Sequence, residues 1–383
     1  MKKKIVVTTG TRADYGILRP VLKEILSSKK LKLFLIVTGM HLSKKHGLTI
    51  NEIKHDNFRI YESFKMSPKD DSSYEATIAV GKAMISLARI FKKIKPDINL
   101  ILGDRDEMLA SAIVAYHMNI PNVHIHGGDK SKAGIDEYNR HAITKISNIH
   151  FTATKKSTKR VIKMGENPKN VFLTGSPSID EIIAEKIEGK NSLEKKFNIG
   201  FKGNEILLVF HPVSSQYEES GKQIRNILDA IVLIKIPTIA IAPNSDVGNE
   251  MIFKYLKLYS KKYGFIKMYS SIPRKYFLGL LRNCGVLVGN SSSGIIEASH
   301  FNIPVVNIGI RQKDREKGKN VLDVEDYSID NIHKMILKAL KMKQRKLTRS
   351  MSIYGDGHSS KKIVKHLERI KLDTKLIQKQ IYY

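Results

Sequence analysis

The sequence predicts two α/β domains in tandem, each a parallel sheet with helices on both faces. Three observations carry that reading. Short apolar runs alternate with longer stretches whose apolar residues recur at helical spacing, as in successive β–α–β units. The pattern breaks between Glu185 and Asn204, where Lys, Glu, Gly and Asn dominate, and then restarts. Polar residues stand just past the ends of the apolar runs, where parallel sheets carry their ligands.

Residues 4–8 read as a strand, and GTRADYG, residues 10–16, as the loop after it. Ile17, Leu18, Val21, Leu22, Ile25 and Leu26 then recur at helical spacing, with Pro20 expected in the first turn, where its missing N–H does no harm. Residues 31–37 give the next strand. Gly10 and Gly16 lack the G-x-G-x-x-G spacing, so there is no dinucleotide fingerprint and no nicotinamide is expected. Residues 40–73 are polar and irregular and read as a long loop near a site. A helix over 74–95 stops at Pro96. Strands over 99–102, 121–125, 149–153 and 170–174 alternate with helices over 108–116, up to Ser147, and over 155–164. After the break, strands over 206–210, 238–242, 265–269, 286–288 and 304–308 repeat the alternation, and an amphipathic helix runs from about Lys361.

Of the 383 residues 42% are hydrophobic, enough for a core in each of two domains. The single cysteine, Cys284, excludes an internal disulfide framework and reads as a small buried residue before a strand. Met1-Lys2-Lys3-Lys4 is followed by only Ile5-Val6-Val7, too short an apolar run for a signal peptide or a membrane span. A soluble, cytoplasmic protein without a membrane partner is expected. The net charge of +29 is spread over helix faces, as in Lys92-Lys93, Lys155-Lys156 and Lys261-Lys262, with no interleaved aromatic platforms. That distribution argues against nucleic acid and for a solvated surface that attracts a nucleotide.

The stretch VLVGNSSSGIIEAS, residues 286–299, joins an apolar run, a small polar loop and a helix start. Taken alone it is an ordinary βα turn with serine caps. Helix N-terminal N–H groups and serine hydroxyls also make an anion site, and the glycines were expected to let the backbone approach a phosphate. Arg12, Asp104, His126, His211, Asn244, Ser291 and Arg311 all stand just past strand ends. Each alone reads as a turn or cap residue. Together they point to an active cleft.

GTRADYG, GDRDEM, HIHGGD, IDEYNRHAITKIS, FHPV, GNSSSGIIEAS, GIRQ and YGDG occur in this order. As a set they resemble the hydrolysing UDP-N-acetylglucosamine 2-epimerase family of sialic-acid and related nonulosonate pathways. The resemblance implies a GT-B fold: two Rossmann-like domains, 1–185 and 186–358, the active site between them, and a last helix, 359–383, crossing back. It implies a UDP-linked nucleotide-sugar substrate, no metal or other cofactor, and a homodimer or homotetramer. The implied reaction removes the proton at carbon 2 as UDP leaves, giving an acetamidoglycal, and then adds water to release N-acetylmannosamine. A UDP- or GDP-linked diacetamido-trideoxy sugar of the bacillosamine type is the alternative substrate. A GT-B glycosyltransferase, or a basic protein that binds nucleic acid, are the competing classes.

Carried over residue by residue, the resemblance makes Asp104 and Asp136 the catalytic acidic positions, with base and acid unassigned between them. His126 stands where some members have Glu, either as a proton-transfer group or as a brace of the HGG turn. Asp129 stands where many have Glu. Asp136 and Arg140, four apart at a helix start, also permit a structural pair. Arg12, Ser291, Ser292 and Gly294 match diphosphate positions, and Ala13 and Asp14 match nucleotide-binding positions. His211 and Asn244 match residues near phosphate and base, Glu297 a ribose-binding carboxylate, and Arg311 a further site residue. Asp314 stands where Gly is common, which leaves that loop's conformation open.

Overall fold

The computed structural model describes residues 2–66, 68–70, 72–132, 134–184, 187–244, 246–344 and 353–383. The chain divides into two compact units. The first comprises residues 1–129, 135–184 and 354–383, and the second 130–134 and 185–353. The returning segment thus begins at Tyr354, a few residues before the expected one. The expected boundary at 185–186 falls outside the described residues.

In the first unit, β1 (Lys3–Thr9), α1 (Arg12–Ser27), β2 (Leu31–Val37), α2 (Ile50–His55), β3 (Ile60–Ser63), α3 (Ser73–Ile94) and β4 (Ile98–Leu102) come first. Then follow α4 (Asp106–His117), β5 (Asn122–Ile125), α5 (Ile135–Lys145), β6 (Ile149–Thr152), α6 (Lys155–Lys163), β7 (Val171–Leu173) and α7 (Pro177–Ala184). The second unit holds α8 (Lys190–Phe197), β8 (Ile206–Val209), α9 (Ser220–Ile234), β9 (Thr238–Ile241), α10 (Asn249–Lys262) and β10 (Ile266–Tyr269). It continues with α11 (Arg274–Asn283), β11 (Val286–Gly289), α12 (Ser292–Phe301), β12 (Val305–Ile308), β13 (Val321–Val324) and α13 (Ile329–Gln344). Helices α14 (Ser359–Arg369) and α15 (Thr374–Ile377) return to the first unit.

All strand pairs are parallel, in the orders β3-β2-β1-β4-β5-β6-β7 and β10-β9-β8-β11-β12-β13. The central strands of both sheets are buried on both faces. Ile5 and Val7 join one core with Leu18 and Leu22 of α1 and Ile363 and Leu367 of α14, while Val6 joins another with Leu87 and Phe91 of α3. Buried strands of this kind read as unbroken apolar runs, which is why they stand out in the sequence. The strand order reverses direction between β1 and β4 and between β8 and β11. The loops leaving those strands therefore diverge and leave a crevice at each switch point.

Several local expectations are corrected. Most of GTRADYG is the first turns of α1, because Thr11 and Asp14 form a capping box that starts the helix at Arg12. Pro20 therefore lies inside α1, and the carbonyl facing its ring belongs to Gly16. Residues 40–73, read as a loop, contain α2 and β3. The edge strand β3 alternates half-buried and exposed residues and has no apolar run to betray it. The presumed linker holds α8, whose Leu193 and Phe197 are buried. Strand β13 and helix α13 were not anticipated.

The return of α14 is fixed by a buried carboxylate. Asp180 of α7 accepts from the N–H groups of Ser359 at 3.0 Å and Ser360 at 2.6 Å, capping α14 from outside its own segment. Charge-assisted bonds of this kind are worth about 1.5–3 kcal/mol each. Asp180→Ala is expected to lower the unfolding free energy in urea by about 2–3 kcal/mol. An unchanged midpoint contradicts the capping role.

Candidate active site

In the first unit the site grows from the switch point. Gly103 ends β4 at φ +79°, which only glycine adopts at little cost, and turns Asp104 out of the sheet. Its carbonyl is held by Nε2 of the buried His124, 2.7 Å away. Burial pushes the His124 pKa down to about 3, so the ring stays neutral and donates there. Asp104 is half-buried, with its carboxylate on the guanidinium of Arg140.

Arg140 lies on α5 with a side chain only 2% exposed. It donates to Asp104, to Glu137 in the first turn of the same helix, and to the Asp129 carbonyl at 3.1 Å. Burial disfavours its charge, but Asp104, Glu137 and Asp129 outweigh that and hold it above the usual arginine range. Asp136 is half-buried one position before Glu137, in the same first turn. The second oxygen of Glu137 takes a hydrogen bond from His141 Nε2 at 3.0 Å. Sequence spacing suggested Asp136 as the partner of Arg140; the part played by Glu137 was missed, although its i,i+3 spacing could have signalled it.

His126 sits at φ +68°, an uncommon conformation for a residue with a Cβ. Both ring nitrogens are occupied. Nδ1 donates to Asp129 Oδ2 at 3.2 Å, and Nε2 pairs with the Ser176 hydroxyl at 2.9 Å. Asp129 Oδ1 accepts from Ser157 at 2.8 Å. This buried chain points to the bracing role for His126 and not to a nitrogen presented to substrate. Asp129 is what orients the ring.

The GTRADYG loop is shaped from below. Asp14 accepts from the N–H groups of Gly10 at 3.0 Å and Thr11 at 2.7 Å and from the hydroxyls of Thr9 and Thr11. Its carboxylate is therefore committed to the loop. Arg12 and Ala13 open α1, half-buried and exposed respectively.

In the second unit Asn290 is the hub, fully buried. Its side chain pairs with the backbone of His211 in both directions at 2.8 Å, and its carbonyl accepts from Arg311 at 3.3 Å and Gln312 at 3.1 Å. These bonds bring together the loops after β8, β11 and β12. The sequence carries no signal of this role for Asn290, because an Asn in a βα turn looks like a cap. His211 Nδ1 accepts from the Asn244 N–H at 3.1 Å, so the neutral ring carries its proton on Nε2. Among the described residues, Asn244 Oδ1 is a buried acceptor without a partner. Ser291 caps α12, its hydroxyl 2.7 Å from that of Ser293, and Ser292 is half-buried at the first helical position.

A Cβ on Gly294 meets Val305 at 3.0 Å and Leu287 at 3.1 Å, and one on Gly289 meets the Val209 carbonyl at 2.0 Å. Both glycines allow close packing on the sheet. Glu297 is buried and chelated by Arg274 of α11, a residue with no sequence signal. Its remaining lone pairs are all that a ribose can use. Asp314 adopts the left-handed conformation that favours glycine, at φ +66°, and pairs with Lys130 at 3.0 Å.

Two parallel α/β units with polar residues gathered at their switch points are the architecture of open-sheet enzymes that bind ligands beyond the strand ends. The sequence profile described as UDP-N-acetylglucosamine 2-epimerase matches residues 23–368, and the chain belongs to that family of nucleotide-sugar 2-epimerases. It is 38% identical, over 99% of both chains, to the hydrolysing UDP-N,N'-diacetylbacillosamine 2-epimerase of Legionella pneumophila. It is 34% identical to a UDP-N-acetylglucosamine 2-epimerase of Neisseria meningitidis, over 88% of this chain and 87% of that one. The fold matches a crystal structure of UDP-GlcNAc 2-epimerase from Neisseria meningitidis bound to UDP-GlcNAc, with a TM-score of 0.80 and 18% identity, covering 96% and 100% of the two chains. Among the described residues no helix is long and apolar enough to cross a membrane.

Breaking a buried ion pair by removing one partner costs about 3–5 kcal/mol. Arg140→Met is expected to lower the unfolding free energy by about that amount, and Arg140→Lys by less, since the charge remains. Equal stability of all three proteins in urea contradicts the pairing described.

Proposed function

We propose that this protein is a hydrolysing 2-epimerase of a UDP-linked 2-acetamido sugar, with UDP-N,N'-diacetylbacillosamine as the preferred substrate. The match to the Legionella enzyme over nearly the full length of both chains supports that choice. UDP-N-acetylglucosamine is the second reading, supported by the Neisseria relative. The observation that carries the chemistry is the half-buried carboxylate of Asp104, oriented by a buried arginine beside the acidic first turn of α5.

The proton on carbon 2 is weakly acidic, so its base must be close, oriented and partly desolvated. Asp104 and Asp136 are proposed as the proton-transfer pair. As the proton leaves, the bond from the anomeric carbon to the UDP oxygen breaks and a 2-acetamidoglycal forms. Water then adds its hydroxyl to the anomeric carbon, and a proton returns to carbon 2 on the opposite face. Free 2-epimerised sugar and UDP are the products, suited to acidic surface-polysaccharide sugars. Neither step transfers hydride. Arg12, Arg311, Ser291 and Ser292 are proposed to stabilise the charge that develops on UDP. Asn244 Oδ1 suits a nucleobase N–H, and Glu297 the ribose.

Incubation without acceptor tests the reading. UDP and free 2-epimerised sugar should appear, fastest from the diacetamido substrate. Transfer only to an added acceptor contradicts it. In Asp104→Asn turnover should fall about 10²–10⁴-fold with UDP affinity kept. The double variant Ser291→Ala, Ser292→Ala should lose up to about 3 kcal/mol of UDP binding with folding intact. If Asp104→Asn turns over normally, Asp104 is structural.

A further inference from the structure

The chain beyond α14 is pinned along the first unit. Lys379 Nζ reaches Glu166 Oε2 at 2.6 Å and the Ser147 carbonyl at 2.7 Å. Asn148 Nδ2 donates to the Leu376 carbonyl at 2.7 Å, and the Tyr382 N–H to the Gly165 carbonyl at 2.9 Å. Ile381 lies so close that a Cβ on Gly165 falls 2.8 Å from its Cγ2.

Glu166 is the centre of this attachment, with its side chain 3% exposed. Besides Lys379 it accepts from Lys145 Nζ at 2.7 Å and His150 Nε2 at 3.0 Å. Burial raises its pKa, but the bonds from His150, Lys145 and Lys379 outweigh that and bring it to about 2. Burial holds Lys379 below the usual lysine range, and the bond to Glu166 opposes that.

The place of the attachment matters. Lys145 is the last residue of α5 and Ser147 follows it. The same helix carries Asp136, Glu137 and Arg140 at its start. Arg140 is about 7.5 Å from Lys145 along the axis at 1.5 Å per residue. A helix this short behaves as a rod, so freedom at one end displaces the other. A misplacement of about 1 Å can cost about 10²-fold in rate.

We propose that the C-terminal tail is a strap that sets the position of α5, and that Lys379 is a positioning residue for the proton transfer at the far end of that helix. The proposal rests on the reading of Asp104 and Asp136 as the proton-transfer pair.

Lys379→Ala tests it, with Lys379→Arg as the conservative variant and the exposed Lys375→Ala as control. Hydrogen exchange over residues 135–148, kcat and KM on the UDP-sugar, and UDP affinity are measured on the full chain. In Lys379→Ala, exchange at the end of α5 should accelerate and kcat fall about tenfold, with KM and UDP affinity within about twofold. Lys379→Arg should restore both, and Lys375→Ala should match the wild type. Unchanged exchange in Lys379→Ala overturns the strap, and faster exchange with unchanged kcat overturns the positioning role. A wild type inactive on every UDP-linked acetamido sugar refutes the functional reading instead, and the exchange result then decides the strap alone.

Discussion

The first unit depends on one buried charge. A guanidinium as enclosed as that of Arg140 is costly unless anions and carbonyls surround it. Asp104 arrives from the end of β4, Glu137 from the start of α5, and the Asp129 carbonyl from the turn after β5. The end of β4, the turn after β5 and the start of α5 are thereby fixed against each other. The same pairing gives Asp104 a defined direction, which a carboxylate on a solvated loop lacks. The turn below is stiffened by His126 in its left-handed conformation, clamped between Asp129 and Ser176.

The second unit solves a similar problem without net charge at its hub. Asn290 is both donor and acceptor, so one neutral side chain holds the loop after β8, and its carbonyl holds the loop after β12. A neutral hub adds no carboxylate of its own beside the start of α12. The chelated pair Arg274–Glu297 is buried on α11 and α12, where it locks one helix to the other.

The sheets were legible because buried parallel strands are apolar throughout, and the loops because ligand-bearing residues collect at strand ends. What escaped had weak local signals. The edge strand β3 alternates exposure over four residues, and α8 buries only Leu193 and Phe197 within a lysine-rich stretch. In the sites, residue types were legible and partners were not. Nothing local tells that Asp14 turns inward, that Gly294 faces Val305, or that Glu297 meets Arg274 from another helix. Those facts depend on tertiary neighbours, as does the role of Lys379, which looks like one more surface lysine in a chain of net charge +29.

In the proposed reaction UDP leaves by elimination across carbons 1 and 2. One turnover experiment in deuterated, oxygen-18-labelled water reads it most directly. Mass spectrometry and NMR of the released sugar should show deuterium at carbon 2 and oxygen-18 at the anomeric carbon, with unlabelled UDP. Retention of the original hydrogen at carbon 2, or oxygen-18 in the phosphate, contradicts the account.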